Sequence, residues 1–463
     1  MEPFHNKKTA KKPQAESSGK NGHTFAAARL KAARKGAVFA VCAILAILAA
    51  YSIISNSVRY TAVEAYPVNW RSNDSRTDAV DSVPAYIDRP ALEPLSEPEP
   101  SKFTYNNGIY VDPNAKKTNK AVLMLTGDLM CVYAMQKSAM KGDTFDFNAG
   151  FNYVKPILER SDLAVGNLET VLSHTAPYKH EQTRIEGPGG MQQNCNAPST
   201  FLDAVRYAGF NAVVTANNHN LDAGLQGITE TLDNLSRYHL PNTGMFTNSN
   251  SRRFLLFDIN GIQIAILSYA TAFNTFDKLY DKQELDTYVN KYEQKKANSD
   301  IAAAKRAGAE FVIVFIHWGK QNSTAVTNNQ YTYGQELADA GADYIVGGHP
   351  HVLNYYDILQ AADGRSVPVI YSIGNFFTDM NEVDYINRDS LILQLELAKD
   401  ADGVRIAKEG YIPCYIFLDF EGQRCVTVPC DAAFADEDIN VELEHSRERI
   451  RLALGEKILQ VLE

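Results

Sequence analysis

The sequence predicts an α/β domain built around a largely buried sheet and carried behind a single N-terminal transmembrane helix. Three observations lead there. Short apolar runs alternate with segments of helical spacing from Ala121 to Phe376, the pattern of strands joined by crossover helices. Polar, chemically active residues recur at the C-terminal ends of those runs, the edge at which open α/β sheets bind ligands. A strongly basic head leads into an uncharged apolar stretch, the signature of a membrane anchor with a cytoplasmic start.

The 463 residues carry a net charge of −10, divided unevenly: residues 1–36 hold a net +7 and the remainder −17. An acidic body argues against a nucleic-acid partner, because such binders line the folded domain with basic residues. No charged residue lies between Lys35 and Arg59. Within that stretch, Ala37–Ile54 would rise about 27 Å as a helix, close to the hydrocarbon thickness of a bilayer. A span over 37–58 with its Lys/Arg excess in front places the head (1–36) in the cytoplasm and the body outside the cell. A cleaved signal peptide is the competing reading. The long leader and the lack of an A-x-A site after the apolar run weigh against it.

Residues 59–118 read as an extended stalk, because Pro, Ser and acids dominate RPALEPLSEPEPSK (89–102) and no period is sustained. Cys42 falls in the span, leaving Cys131, Cys195, Cys414, Cys425 and Cys430 outside. The odd number leaves at least one unpaired within the chain, and the late cluster has room for one disulfide. With no C-x-x-C, a thiolate zinc site is not expected.

The folded part is expected over 119–380, with 381–463 completing or flanking it. AVLMLTGD (121–128) is a buried-strand pattern, followed by a helix over 151–160 and a strand at 162–169. A helical segment with a Gly stop (198–210) leads into NAVVTANNH (211–219), and 224–240 is again helical. FLLFDING and IQIAILSYA read as a hairpin turning at Asn260-Gly261. Helix 300–310 precedes strand 311–319, helix 331–342 precedes DYIVGGHPH (343–351), and VPVIYSIGNF (367–376) closes the series. Strands at 391–398 and 414–420 and an acidic helix follow.

The strand-end residues are Asp128, Glu169, Asn218, His219, His317, His349 and His351. This O/N donor set without thiolate suits Mn, Fe or Zn. Seven such residues exceed the needs of one tetrahedral ion, so one or two divalent metals are expected. Two ions about 3.5–4 Å apart can clamp a phosphoryl group and activate water for in-line attack. Each residue alone has an ordinary explanation: Gly-Asp is a turn, Asn217 and Asn218 cap helices, and His317 could be a hydrogen-bonded core imidazole. Four of the ten histidines at successive strand ends is harder to explain that way. The Gly347-Gly348-His349-Pro350-His351 segment combines close backbone approach with chelating His-x-His spacing.

GDLM (127–130), GNLE (166–169), ANNHNLDAG (216–224), HWG (317–319), GGHPHVL (347–353) and YSIGNF (371–376) resemble, in this order, the motifs of CapA-type poly-γ-glutamate capsule-synthesis proteins. That family is similar to the calcineurin-like metallophosphoesterases. The resemblance implies a four-layer α/β/β/α sandwich, with Asp128 and His351 at one metal, Asn218, His317 and His349 at a second, and Glu169 bridging. His219 would be the general acid. Asp222 either orients that ring or merely begins the next helix in solvent.

Two departures from the metallophosphoesterase pattern stand out. Met130 occupies the third position of the usual D-x-H, as in CapA-type proteins, and Gln321 stands where many relatives carry Glu in H-W-G-x-E. Joined to the membrane anchor read above, the resemblance implies an extracellular hydrolase acting on a phosphoester or an anionic polymer, alongside capsule synthase or export proteins. The other functional reading is a non-catalytic accessory protein that guides such a polymer. An acidic body needs the metals, or Lys179, Arg184 and Lys320, to meet a polyanion.

Overall fold

The structure is a computed structural model that describes residues 87, 89–380, 384–420 and 424–461. The expected basic head and membrane span lie outside the described residues. Among the described residues, no helix is long and apolar enough to cross a membrane.

The strands that carry the architecture are β1 (Lys120–Leu129), β2 (Leu163–Leu168), β3 (Ala212–Val214), β4 (Ile262–Ala270), β5 (Phe311–His317), β6 (Tyr344–Gly348), β7 (Ser366–Ile373), β8 (Asp389–Asp400) and β9 (Gly403–Phe417). They form two sheets, each of eight strands, as the resemblance to the four-layer sandwich implies. In the first, β3, β2 and β1 run parallel, and β8 and then β9 continue antiparallel. In the second, β4, β5, β6 and β7 run parallel, with Phe254–Ile259 outside β4 and Leu353–Gln360 outside β7. The Leu353–Gln360 strand has no counterpart in the sequence reading.

Period-two alternation divides the residues of each strand between two cores. Leu123, Val165, Ile264 and Ile313 point between the sheets into a common cluster. Their neighbours Met124 and Ala164 meet Phe201 and Leu235 of helices outside the first sheet, including α1 (Gly224–Arg237). Ala265 and Val312 meet Ile301 of α2 (Gln294–Arg306) and Leu337 of α3 (Asn328–Ala340) outside the second. The result is helix, sheet, sheet, helix. Every residue of β5 is buried, which explains why the parallel strands read as unbroken apolar runs. The last helix, α4 (Glu437–Leu454), closes an end of the inter-sheet core with Leu443, Ile450 and Leu454.

The hairpin forms as expected. Ile259 pairs with Ile262, and Asn260 and Gly261 adopt φ of 54° and 98°, the two positive angles of a type I′ turn. Three expectations need correction. Of the helix expected over 151–160, only Lys155–Leu158 is α-helical, behind a 3-10 turn at Asn148–Phe151. Pro156 in its first turn cannot donate to a preceding carbonyl. The described part of the expected stalk is packed on the domain. Tyr110 pairs with Phe257 at the sheet edge, Phe103 is buried in the inter-sheet core, and Arg206 donates to the carbonyls of Glu99 and Pro100. An open strand edge satisfies a segment that has no period of its own. Finally, the late cysteine cluster holds no disulfide; Cys425 and Cys430 are buried free thiols.

Candidate metal centre

Strand ends from both sheets converge on one edge of the sandwich. Asp128 is the penultimate residue of β1, Glu169 follows β2, and Asn218 and His219 lie in the turn after β3. Across from them, His317 ends β5, and His349 and His351 follow β6. Neighbouring strand ends approach here closely enough to require glycine. A Cβ on Gly127 would stand 1.9 Å from the Gly374 carbonyl oxygen, and one on Gly347 would stand 2.1 Å from that of Tyr371. His349 and His351 have φ of 92° and 57°, a left-handed conformation that side chains with a Cβ adopt at a cost. That strain turns two imidazoles of one short loop into the site.

All six residues expected to hold metal meet. His351 Nδ1 is 3.2 Å from Asp128 Oδ2, and its Nε2 is 3.7 Å from Glu169 Oε1. His317 Nε2 is 3.3 Å from the same Glu169 oxygen, 2.7 Å from Asn218 Oδ1 and 3.1 Å from His349 Nδ1. Glu169 thus lies between an Asp128–His351 pair and an Asn218–His317–His349 group. Two sets, Asp128–Glu169–His317 and Glu169–His349–His351, each bring their ligand atoms within 4.8 Å of one another, and Glu169 belongs to both.

Burial and mutual charge set the protonation of these groups. Burial alone would raise the Asp128 pKa, but the His351 ring 3.2 Å from its Oδ2 and the nearby His317 ring hold it well below the usual carboxylate range. Burial pushes Glu169 well up, and the Asp128 charge adds to this. His317 is held down at about 3 by burial. His349 also lies well below the ordinary value, from burial and then the charge of His317. Burial disfavours the charged form of His351 too, yet the charges of Glu169 and Asp128 outweigh it and raise the group to about 9. Neutral His317 and His349 are in the form that binds a metal.

Cation fit can be judged from the carboxylates. Both oxygens of Glu169 and Oδ2 of Asp128 are buried and accept no hydrogen bond. Unrelieved buried carboxylate oxygens are costly, and a divalent ion among neutral imidazoles and an amide oxygen would satisfy all three. The residues fit a metal.

His219 points its two nitrogens differently from the ligands. Nδ1 lies 2.7 Å from Asp222 Oδ2, and Asp222 is 1% exposed. Asp222 therefore orients the ring and is not a solvated helix start. Two asparagines escaped the sequence reading. Asn167 donates to Asp128 Oδ1 at 2.7 Å, and Asn375 Oδ1 lies 3.0 Å from His351 Nδ1. Each follows a Gly at a strand end, in the GNLE and IGNF motifs; that repeated Gly-Asn was the signal. A cavity of about 440 Å³ opens beside the centre, lined among others by Met130, Lys179, His219, Gln321 and His351. Lys179 is the one Lys or Arg among the described residues of its lining. Arg184 and Lys320 are exposed and lie outside that lining.

A metal-type centre at the edge of a four-layer sandwich is thus the class that fold and site define. Residues 122–380 match the model of the bacterial capsule synthesis protein family PGA_cap. That is more than half of the chain, and the chain belongs to this family. It is 26% identical over 292 residues to the capsule biosynthesis protein CapA of Bacillus anthracis, covering 62% of this chain and 67% of the relative. It is 29% identical over 255 residues to the PGA biosynthesis protein CapA of Bacillus subtilis (strain 168), covering 55% and 62%. The chain thus spans about two thirds or less of the length of these relatives. Among solved structures, the calcineurin-like phosphoesterase YfkN from Bacillus subtilis is similar at 14% identity and a TM-score of 0.39, covering 72% of this chain and 97% of that one.

Proposed function

We propose that this protein is a membrane-anchored, extracytoplasmic, metal-dependent hydrolase of capsule or envelope polymer biosynthesis. Its relatives are named for capsule and PGA biosynthesis, and the resemblance to CapA-type proteins makes poly-γ-glutamate the polymer of this reading. The observation that carries the reading is the set of three buried, unbonded carboxylate oxygens ringed by imidazoles. One or two divalent ions (Mn, Fe or Zn) would supply Lewis-acid polarisation of a phosphoryl or carbonyl oxygen and activation of water.

Asp128, His351 and Glu169 would hold one ion, and Glu169, Asn218, His317 and His349 the other. Asn167 and Asn375 fix the directions of Asp128 and His351. His219, steadied by Asp222, delivers a proton to the leaving group from the cavity side. Lys179 offers a positive charge to an anionic phosphoester or polymer. The uncharged 37–58 segment behind a basic head supports the anchor, and synthase or export membrane proteins are the partners that such a placement suits.

The second reading, a non-catalytic accessory that guides the polymer, is favoured by Met130, which leaves the Asp128 position one imidazole short. Metal content of the full-length protein and capsule yield of a His349→Ala strain separate the two. Metal-loaded protein active on phosphoesters or poly-γ-glutamate supports the hydrolase. Metal-loaded, inert protein whose His349→Ala strain lacks capsule supports the accessory role. Metal-free native protein overturns the site assignment.

A further inference from the structure

Cys195 stands beside the metal ligands and takes no part in holding an ion. Its Sγ lies 3.5 Å from His219 Nε2, and His219 Nδ1 lies 2.7 Å from Asp222 Oδ2. The same Asp222 oxygen accepts the backbone N–H of Cys195 at 2.8 Å. One buried carboxylate therefore fixes both the ring and the residue that bears the thiol. Asp222 Oδ1 is buried with no hydrogen bond of its own. Cys195 and His219 both line the cavity that holds Lys179 and Asn218.

One ligand atom from each of these three side chains lies within 4.8 Å of the other two. In the shortest contacts, however, Cys195 and Asp222 meet opposite nitrogens of the ring. What remains is a thiol, a base in contact with it and a carboxylate behind the base. This is the arrangement of an activated nucleophile.

We propose that Cys195 is a nucleophile for acyl transfer on an amide-linked anionic chain, with His219 as its base and Asp222 as the residue that positions the ring. His219 Nε2 takes the thiol proton as Sγ attacks the carbonyl carbon. The C–N bond breaks, the amine leaves with that proton, and the acyl group stays on Sγ as a thioester. Water, or an amine of a second chain, then attacks the thioester carbon while His219 takes its proton, and Sγ leaves to recover it. The net change is hydrolysis of the amide or its transfer to a new amine, with no oxidant or reductant. No step needs the ions; the choice of a γ-glutamyl amide rests on the capsule reading above.

The test uses full-length protein in detergent, stripped with EDTA and exposed to iodoacetamide, with peptide mass spectrometry at each cysteine. Cys195 is expected to alkylate roughly ten-fold or more faster than Cys131 and Cys425, which have no imidazole partner of this kind. His219→Gln, or Asp222→Asn if that variant does not fold, removes the advantage. Equal rates, or an advantage unchanged in the folded variant, overturn the proposal. With γ-glutamyl-p-nitroanilide, wild type is expected to release p-nitroaniline and carry a hydroxylamine-labile glutamyl group on Cys195. Cys195→Ser loses both, and before stripping it carries the same metal content as wild type; undiminished release by that variant also overturns the proposal. A reactive Cys195 in protein that binds no metal sinks the metal reading alone.

Discussion

Replacing Glu169 by Gln removes the carboxylate that faces both halves of the centre while keeping its shape. Both of its oxygens and Asp128 Oδ2 are buried without a hydrogen bond. Each such oxygen costs about 1–3 kcal/mol, so a bound cation relieves on the order of 3–9 kcal/mol of burial penalty. In wild type, a divalent ion at about 100 times its Kd should add about 2.7 kcal/mol. For a domain of this size that raises the Tm by about 3–4 °C. In Glu169→Gln the neutral amide is cheaper to bury than a carboxylate, so the metal-free Tm should be equal or higher. The rise on adding metal should fall to about 1 °C or less. Differential scanning calorimetry after EDTA, and then with Mn or Zn restored, measures both. A full-sized metal shift in Glu169→Gln, or none in wild type, refutes the reasoning.

Two further outcomes test the packing of the domain. Gly347→Ala puts a Cβ 2.1 Å from the Tyr371 carbonyl oxygen and 2.5 Å from Trp318 Nε1. It should cost about 3 kcal/mol or more, read as a lower urea midpoint; an unchanged midpoint contradicts the close approach. Lys296 Nζ is buried without a hydrogen bond, and burial, with the Arg253 charge, holds it down at about 8. Below that pH the folded and unfolded chains both carry the proton, and the full penalty stands. Between there and the ordinary 10.5, the unfolded chain binds more protons and stability rises with pH. Lys296→Met should therefore stabilise at neutral pH by roughly 1–3 kcal/mol, and less as the pH nears 10. Denaturation curves showing the same gain at both pH values would count against this account.

Much of the site was legible because its residues sit where local pattern is strongest. Asp128, His317 and His349 each end or follow a fully apolar run, and ligand-type side chains are conspicuous there. Asn167 and Asn375 were not legible, since Gly-Asn after a strand is an ordinary turn until its amide is seen against Asp128 or His351. Cys195 lies in a segment without period, 24 residues before His219. Only the Asp222 carboxylate, which accepts from both the Cys195 N–H and the His219 ring, ties them together. Residues 89–118 misled because their composition suits a free chain, whereas the open strand at Phe254–Ile259 offered them partners.

By itself, the sequence determined the alternation of strands and helices, the Asn260-Gly261 hairpin and the chemistry of the donor set. All of these follow from periods and turn preferences a few residues long. Two sheets, and Glu169 between two groups of ligands, were implied by the family resemblance rather than by any local pattern, and the tertiary structure brings both about. It also decided that His349 and His351 accept a left-handed backbone, and that His219 turns one nitrogen to Asp222 and the other to Cys195. These depend on contacts between segments tens to more than two hundred residues apart. Only the closing of both sheets around one core brings such segments within the few ångströms over which hydrogen bonds and ligand bonds act.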